Sequence, residues 1–242
     1  VTHLSLFSGI GGIDLASHWA GFETVQFVER DQFCQKVLAK NFPGVPIHDD
    51  VTTFDGRPFA GRTDLISAGF PCPPHSLAGK RLASGDERDL WSEVVRVLGE
   101  TKPRWFLGEN VSGILSSEHG QFFGRMLNDL ASLGYRAGWC VYGASSVGAI
   151  HPRRRVFIVA HSDSFRVQRL PKIKIQRKPG LQGREDVGRV EGFPRMPDLH
   201  QPALCNSSNG VPNFVARLKA LGNAVCPQQI YPVLKAIAEA SK

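Results

Sequence analysis

Strand-like apolar runs alternate with stretches of helical spacing over the first 160 residues, and this alternation most narrows the folds open to the chain. Residues 4–7, 24–29, 63–68, 105–109 and 156–160 read as strands; residues 13–20, 33–41, 90–99 and 122–133 read as helices. Parallel neighbours need a crossover, so this order predicts an α/β fold: a doubly wound, mostly parallel sheet with helices on both faces. In such sheets, ligands and reacting groups gather beyond the carboxyl ends of the strands. The residues that follow each run are therefore the candidates for chemistry.

After the first run comes Phe7-Ser8-Gly9-Ile10-Gly11-Gly12, a glycine turn leading into a helix whose N-terminus can face a ligand. It lacks the full GxGxxG spacing of dinucleotide binders, and no P-loop lysine follows, which disfavours a triphosphate. Glu29 ends the second run, where a carboxylate can take both hydroxyls of a ribose. Asp50, beside Val51, ends the third strand region and can accept from an adenine amino group. Together the turn and the two acids suggest an adenosine moiety. The run at 63–68 leads into Gly69-Phe70-Pro71-Cys72. Pro71 fixes its own φ and Pro73 biases Cys72 toward extended geometry, so the backbone aims the thiol. Taken alone, this Pro-Cys pair is weak evidence, and a packed loop thiol is the reading it favours.

From 162 to about 213 the periodicity stops, and the segment is rich in Pro, Gly and basic residues. It carries nine Lys/Arg against five Asp/Glu, whereas residues 1–160 carry 16 of each. A neutral body with a basic C-terminal third suits a polyanionic partner engaged from one side, or a solvated charged surface. Helical spacing returns at 214–221 and 228–240, the latter just after Pro227. This gives three expected units: an α/β domain at 1–161, a small basic region at 162–213, and a helical segment at 214–242. Five cysteines form no CxxC or Cys/His ligand spacing, and their odd number argues against a disulfide framework. Reduced thiols, no metal site, no membrane span and a cytoplasmic setting are expected.

Five short blocks, taken in order, resemble the DNA (cytosine-5) methyltransferase family. Phe7-Ser8-Gly9-Ile10-Gly11-Gly12 is similar to its S-adenosylmethionine motif, and Gly69-Phe70-Pro71-Cys72, with Ser76 and Gly79-Lys80, to its nucleophile loop. Glu109-Asn110-Val111 resembles its Glu-Asn-Val motif, and Arg153-Arg154-Arg155-Val156 its paired-arginine motif. Leu221-Gly222-Asn223-Ala224-Val225-Cys226-Pro227 resembles the C-terminal block that folds back to complete the cofactor pocket. The resemblance implies a Rossmann-like sheet with a small irregular recognition lobe. It also implies S-adenosyl-L-methionine as methyl donor, with S-adenosyl-L-homocysteine as product, and double-stranded DNA as substrate. A monomer in a bacterial or phage-infected cell, with a possible cognate restriction endonuclease, fits the same pattern.

Cytosine C5 is a poor nucleophile, so the family adds a thiolate to C6 and makes an enamine that can accept a methyl group. The resemblance casts Cys72 as that thiolate, Glu109 as the acid at cytosine N3, and Arg153 and Arg155 as cations that favour the thiolate and hold the base. It implies cofactor contacts from Phe7, Ser8, Gly9, Gly11, Gly12, Glu29, Asp50, Val51, Pro71, Asn223 and Val225. Ser76, Lys80 and Arg81 fall in the loop, residues 73–87, expected to close over DNA, and Arg88, a further expected DNA contact, follows it. The target base must leave the duplex stack to reach the thiol. Two positions depart from the family pattern: Pro73 stands where Gln usually follows the cysteine, and His151 replaces the Gln that leads the arginine block. Two other readings stay open: methyl transfer to cytosine in RNA, and a DNA-binding remnant without turnover.

Overall fold

The computed structural model describes residues 1–71, 90–149, 152–164 and 214–241. In chain order the elements are β1 (Thr2–Leu6), α1 (Gly12–Trp19), β2 (Glu23–Val28), α2 (Gln32–Asn41), β3 (Ile47–His48) and β4 (Leu65–Ala68). There follow α3 (Trp91–Thr101), β5 (Trp105–Val111), α4 (Gln121–Ser132), β6 (Tyr135–Tyr142), β7 (Arg155–Ser162), α5 (Phe214–Asn223) and α6 (Pro227–Ala240). The seven strands lie in the order β3-β2-β1-β4-β5-β7-β6. The first five in sequence pair in parallel, whereas β7 runs antiparallel to both β5 and β6. The doubly wound, mostly parallel sheet expected from the alternation is what forms, with an antiparallel edge that the alternation did not disclose.

Strand residues point alternately to two cores. Leu4, Leu6, Ile66, Phe106, Val156 and Ile158 face one side, where Val94 and Leu98 of α3 and Phe122, Met126 and Leu130 of α4 cover them. Leu65, Trp105, Leu107 and Phe157 face the other, under Ile13 and Ala16 of α1 and Ile230, Val233, Leu234 and Ile237 of α6. The helix formed by residues 227–240 is thus part of the body, packed on the first helix of the chain.

One stretch of the sheet facing α1 is polar. His3 is fully buried, with Nδ1 2.9 Å from Thr24 Oγ1 and Nε2 2.8 Å from Ser67 Oγ. Asp14, in the first turn of α1 and also fully buried, accepts from Ser5 Oγ and Thr24 Oγ1 and lies 3.6 Å from His3 Nδ1. Burial pushes Asp14 up to about 7 from an ordinary 3.8, and pushes His3 down to about 3 from 6.5. Alone, Asp14 would make folding less favourable as pH rises from 3.8 to 7; His3 alone would make it more favourable between 3 and 6.5. Between pH 3.8 and 6.5 the pair holds one proton when folded, on Asp14, and one when unfolded, on His3, so the two slopes cancel. Asp14→Asn removes the cancellation. Its stability is expected to fall on acidification below pH 6.5, and more steeply than that of the parent by up to about 1.4 kcal/mol per pH unit. Urea unfolding from pH 4.5 to 6.5 measures this, and parallel curves for the two proteins would refute it.

Candidate active site

The site is built on one rim of the sheet, where β1, β2, β4 and β5 end and the antiparallel β7 begins. Beyond β1 the chain turns with Phe7 at φ 54°, Gly9 at 56° and Gly11 at 85°. Glycine takes these angles freely, but Phe7 is held there against its preference, an arrangement found where a site needs a particular side-chain direction. Gly12 meets a different demand, since a Cβ there would lie 2.4 Å from the Val225 carbonyl oxygen. The glycine turn and the C-terminal block are therefore in direct contact. A Cβ on Gly11 would similarly strike the Phe42 ring at 2.6 Å.

A cavity of about 640 Å³ opens along this rim. Phe7, Gly9, Glu29, Pro71, Glu109, Arg155 and Asn223 line it, seven of the residues singled out from sequence. Glu29 holds the turn to the start of α2: Oε2 accepts from the Gly9 N–H at 2.7 Å and Oε1 from the Asp31 N–H at 2.7 Å. Each carboxylate oxygen keeps a second lone pair for a ligand hydroxyl. Asp31 in turn caps α2 through the Phe33 and Cys34 N–H groups. Cys34 also lines the cavity, but burial beside Glu29 and Asp31 pushes its thiol up to about 12 and keeps it protonated.

Glu109 is buried near the end of β5, and the sheet register explains its partner. Glu109 sits opposite Phe157 and Val111 opposite Arg155, so Arg155 lies on the diagonal of Glu109 on the same face. Arg155 Nε is 2.9 Å from Glu109 Oε1. The contact is an ion pair whose N–H is not aimed at the oxygen, and Oε1 is left without a hydrogen bond. Burial holds the Glu109 carboxyl above the ordinary carboxylate range, while Arg155 and Arg153 draw it back. Next along the strand, Asn110 Nδ2 donates to the Phe70 carbonyl at 2.9 Å, tying β5 to the segment that leads into Cys72. A buried acid that favours its proton, next to a cation and beneath an open cavity, is suited to giving a proton to a ligand.

Other residues singled out from sequence stand elsewhere. Arg153 does not line this cavity: it donates to the carbonyls of Gly222, at 3.0 and 3.1 Å, and of Ala224, while its own carbonyl accepts from Gln229 Nε2 at 3.0 Å. It clamps the C-terminal block that carries Val225. Ser8 Oγ donates to the Ser5 carbonyl at 3.0 Å and braces the turn. The Asp50 Oδ1 accepts from the N–H and hydroxyl of Thr52, at 2.9 and 2.8 Å, and Asp50 is not among the residues lining the cavity. Val51 is buried in the core, its carbonyl held by Arg96 of α3. Cys72, Pro73, Ser76, Lys80, Arg81, Arg88 and His151, with residues 165–213 of the expected recognition region, lie outside the described residues.

Sequence reasoning missed Asp31 and Lys219, whose side chains form an ion pair at 3.0 Å and which both line the cavity. An N-cap signal, Asp directly before a periodic apolar stretch, marks Asp31; nothing local marks Lys219. Among the described residues no group of His, Cys, Asp and Glu side chains is placed to hold a metal ion, and no helix is long and apolar enough to cross a membrane.

Residues 1–192 match the family described as C-5 cytosine-specific DNA methylase. The type II methyltransferase M.NgoMIV of Neisseria gonorrhoeae is 36% identical over 165 residues, covering 68% of this chain and 53% of that protein. M.AquIA, a type II methyltransferase of Picosynechococcus, is 34% identical over 175 residues, covering 65% of this chain and 71% of that protein. A crystal structure described as a prophage-encoded DNA modification methyltransferase from E. coli matches with a TM-score of 0.59 at 29% identity, over 68% of this chain and 47% of that one. Spodoptera frugiperda DNMT2, at 23% identity, also has a TM-score of 0.59, over 74% of this chain and 55% of that one, and shows a shared fold. The chain spans about half the length of the first curated relatives. With the glycine turn, the strand-end acid, its arginine and the returning C-terminal block in one rim, and with four-fifths of the chain inside the family match, the chain belongs to the C-5 cytosine-specific DNA methylase family.

Proposed function

We propose that the chain carries the catalytic machinery of a DNA (cytosine-5) methyltransferase, with S-adenosyl-L-methionine as donor and a cytosine flipped out of double-stranded DNA as acceptor. The observation that carries this reading is Glu109: buried, inclined to keep its proton, paired with Arg155, and tied through Asn110 to the segment before Cys72. The cavity fits the donor in size and in the carboxylate of Glu29, which is already oriented by two backbone N–H groups. Bound there, the cofactor supplies an electrophilic methyl group and leaves as S-adenosyl-L-homocysteine.

The residues divide the work by position. The Cys72 thiolate adds to cytosine C6 while Glu109 protonates or shares a proton with N3, so the electrons displaced from the C5–C6 bond make C5 nucleophilic. C5 gains the methyl group, then loses its proton to a base as the C6–sulfur bond breaks, the thiolate returns and N3 gives its proton back to the Glu109 carboxylate. Arg155 holds Glu109 in place and adds positive charge at the base pocket. Phe7, Pro71 and Asn223 bound the donor. Arg153 contributes by holding the C-terminal block. Residues 162–213 serve as the target-recognition region, and Ser76, Lys80, Arg81 and Arg88 meet DNA phosphates. The enzyme works as a monomer in the cytoplasm, with a restriction endonuclease of the same specificity as a possible partner.

Incubation of the protein with methyl-tritiated S-adenosyl-L-methionine and either duplex DNA of varied sequence or cytosine-containing RNA tests the reading. Label is expected in DNA, at C5 of cytosine. Label confined to RNA, or none in any DNA context, would overturn it.

A further inference from the structure

Helix α5 is held to the body differently from α6. Helix α6 buries Ile230, Val233, Leu234 and Ile237 against α1 and the sheet. On α5, Val215 is 78% and Leu221 63% exposed, and Ala220 is the side chain described as buried. Among the described elements α5 packs chiefly against α2. Among the described residues two polar ties hold it: Arg153 to the carbonyl of Gly222 at its end, and Lys219 Nζ to Asp31 Oδ2 at 3.0 Å near its middle. Lys219, Ala220 and Asn223 all face the large cavity, opposite Glu29 and Asp31. The next residues are pinned, because the Val225 carbonyl sits against Gly12.

We propose that Lys219 is a positioning residue of the cofactor pocket: its ion pair with Asp31 latches α5 across the cavity, so that cofactor leaves when this pair opens. The proposal rests on the reading of the cavity as the S-adenosylmethionine site. The Arg153 clamp fixes the end of α5, whereas the exposed Lys219–Asp31 pair near its middle is a contact that can open and close. Asp31 is suited to be the fixed half, since its Oδ1 is committed to the α2 N-cap while Oδ2 takes the lysine. The long lysine stem can swing away without disturbing that cap.

Release of tritiated S-adenosyl-L-homocysteine from the whole chain, timed after dilution, reads the latch. Lys219→Ala is expected to release it roughly two- to fivefold faster, the range of an exposed pair. Lys219→Glu, which sets like charges face to face, should release it about tenfold faster, and Lys219→Arg should stay within about twofold of the parent. Raising salt should speed release from the parent but not from Lys219→Ala. In a parallel arm without ligand, hydrogen exchange of the 220–224 amides should accelerate in Lys219→Ala. Parent-like release and exchange in both the Ala and Glu variants would overturn the latch. If the parent itself fails to bind S-adenosyl-L-homocysteine, the cofactor reading fails, and the exchange arm still decides whether Lys219 holds α5.

Discussion

Cys72→Ala is expected to abolish methyl transfer to DNA while leaving the affinity for S-adenosyl-L-methionine within about twofold of the parent. The division follows from where the pocket is made. Its described walls come from the turn after β1, from Glu29, from Pro71 and from Asn223, none of which needs a thiol in the next position to be placed. No described cysteine at the cavity could stand in: Cys34 lines it but is held protonated by burial and by two neighbouring carboxylates. Duplex DNA with 5-fluorocytosine at the target supplies the second measurement, because fluorine cannot depart as a proton does. The parent should form a covalent protein–DNA complex stable to denaturation, and Cys72→Ala should form none. Transfer that persists in the variant would remove attack at C6 by this residue, and a large loss of cofactor affinity would show that the pocket is built otherwise.

Glu109→Gln is the second large effect, with kcat expected to fall by roughly 10²- to 10⁴-fold, the usual worth of a positioned proton donor. Glutamine preserves the shape and can donate a weak hydrogen bond to N3, but it cannot deliver a proton, and it leaves Arg155 without its ion-pair partner. The pH profile separates chemistry from damage. Because burial raises the Glu109 carboxyl, the protonated and active form persists above the ordinary carboxylate range and is lost as pH climbs through the raised value. The parent should therefore lose activity on that alkaline side, and Glu109→Gln should show a low rate without that limb. A loss smaller than about tenfold, or an unchanged pH limb, would assign Glu109 a structural role.

Much of this was legible in the sequence because two periodicities carried it. Alternation of apolar runs gave the order of strands and helices, and a glycine turn after β1 placed the pocket. The edge strand β6 was not legible. It alternates Tyr, Arg, Ala, Gly, Trp, Cys and Val, and its Trp139 is 52% exposed, so no inward-facing pattern marks it. The arginines show a different limit. Arg153 and Arg155 stand two apart and look like one face of a strand, but β7 starts at Arg155, and Arg153 has φ 27°, outside strand geometry. The two side chains part company, one to Glu109 and one to the C-terminal carbonyls. The local turn at Asp50, whose Oδ1 accepts from the Thr52 N–H and hydroxyl, was not legible from the strand end alone. Lys219 was invisible because its meaning depends on a residue 188 positions earlier in the chain.

The contact between Gly12 and Val225 has a consequence for how the molecule comes into being. Synthesis delivers Val225 more than two hundred residues after Gly12. Until residues 227–240 follow, Ile13 and Ala16 of α1 and Trp105 and Leu107 of the sheet have lost their cover. The nascent chain must then travel with an open apolar face and an unfinished pocket, exposed to aggregation and to chaperones. The cavity lacks its Ala220 and Asn223 wall during that interval. The rim is therefore closed only after residues 12 and 225 have met, so the cavity is among the last features of this fold to take shape.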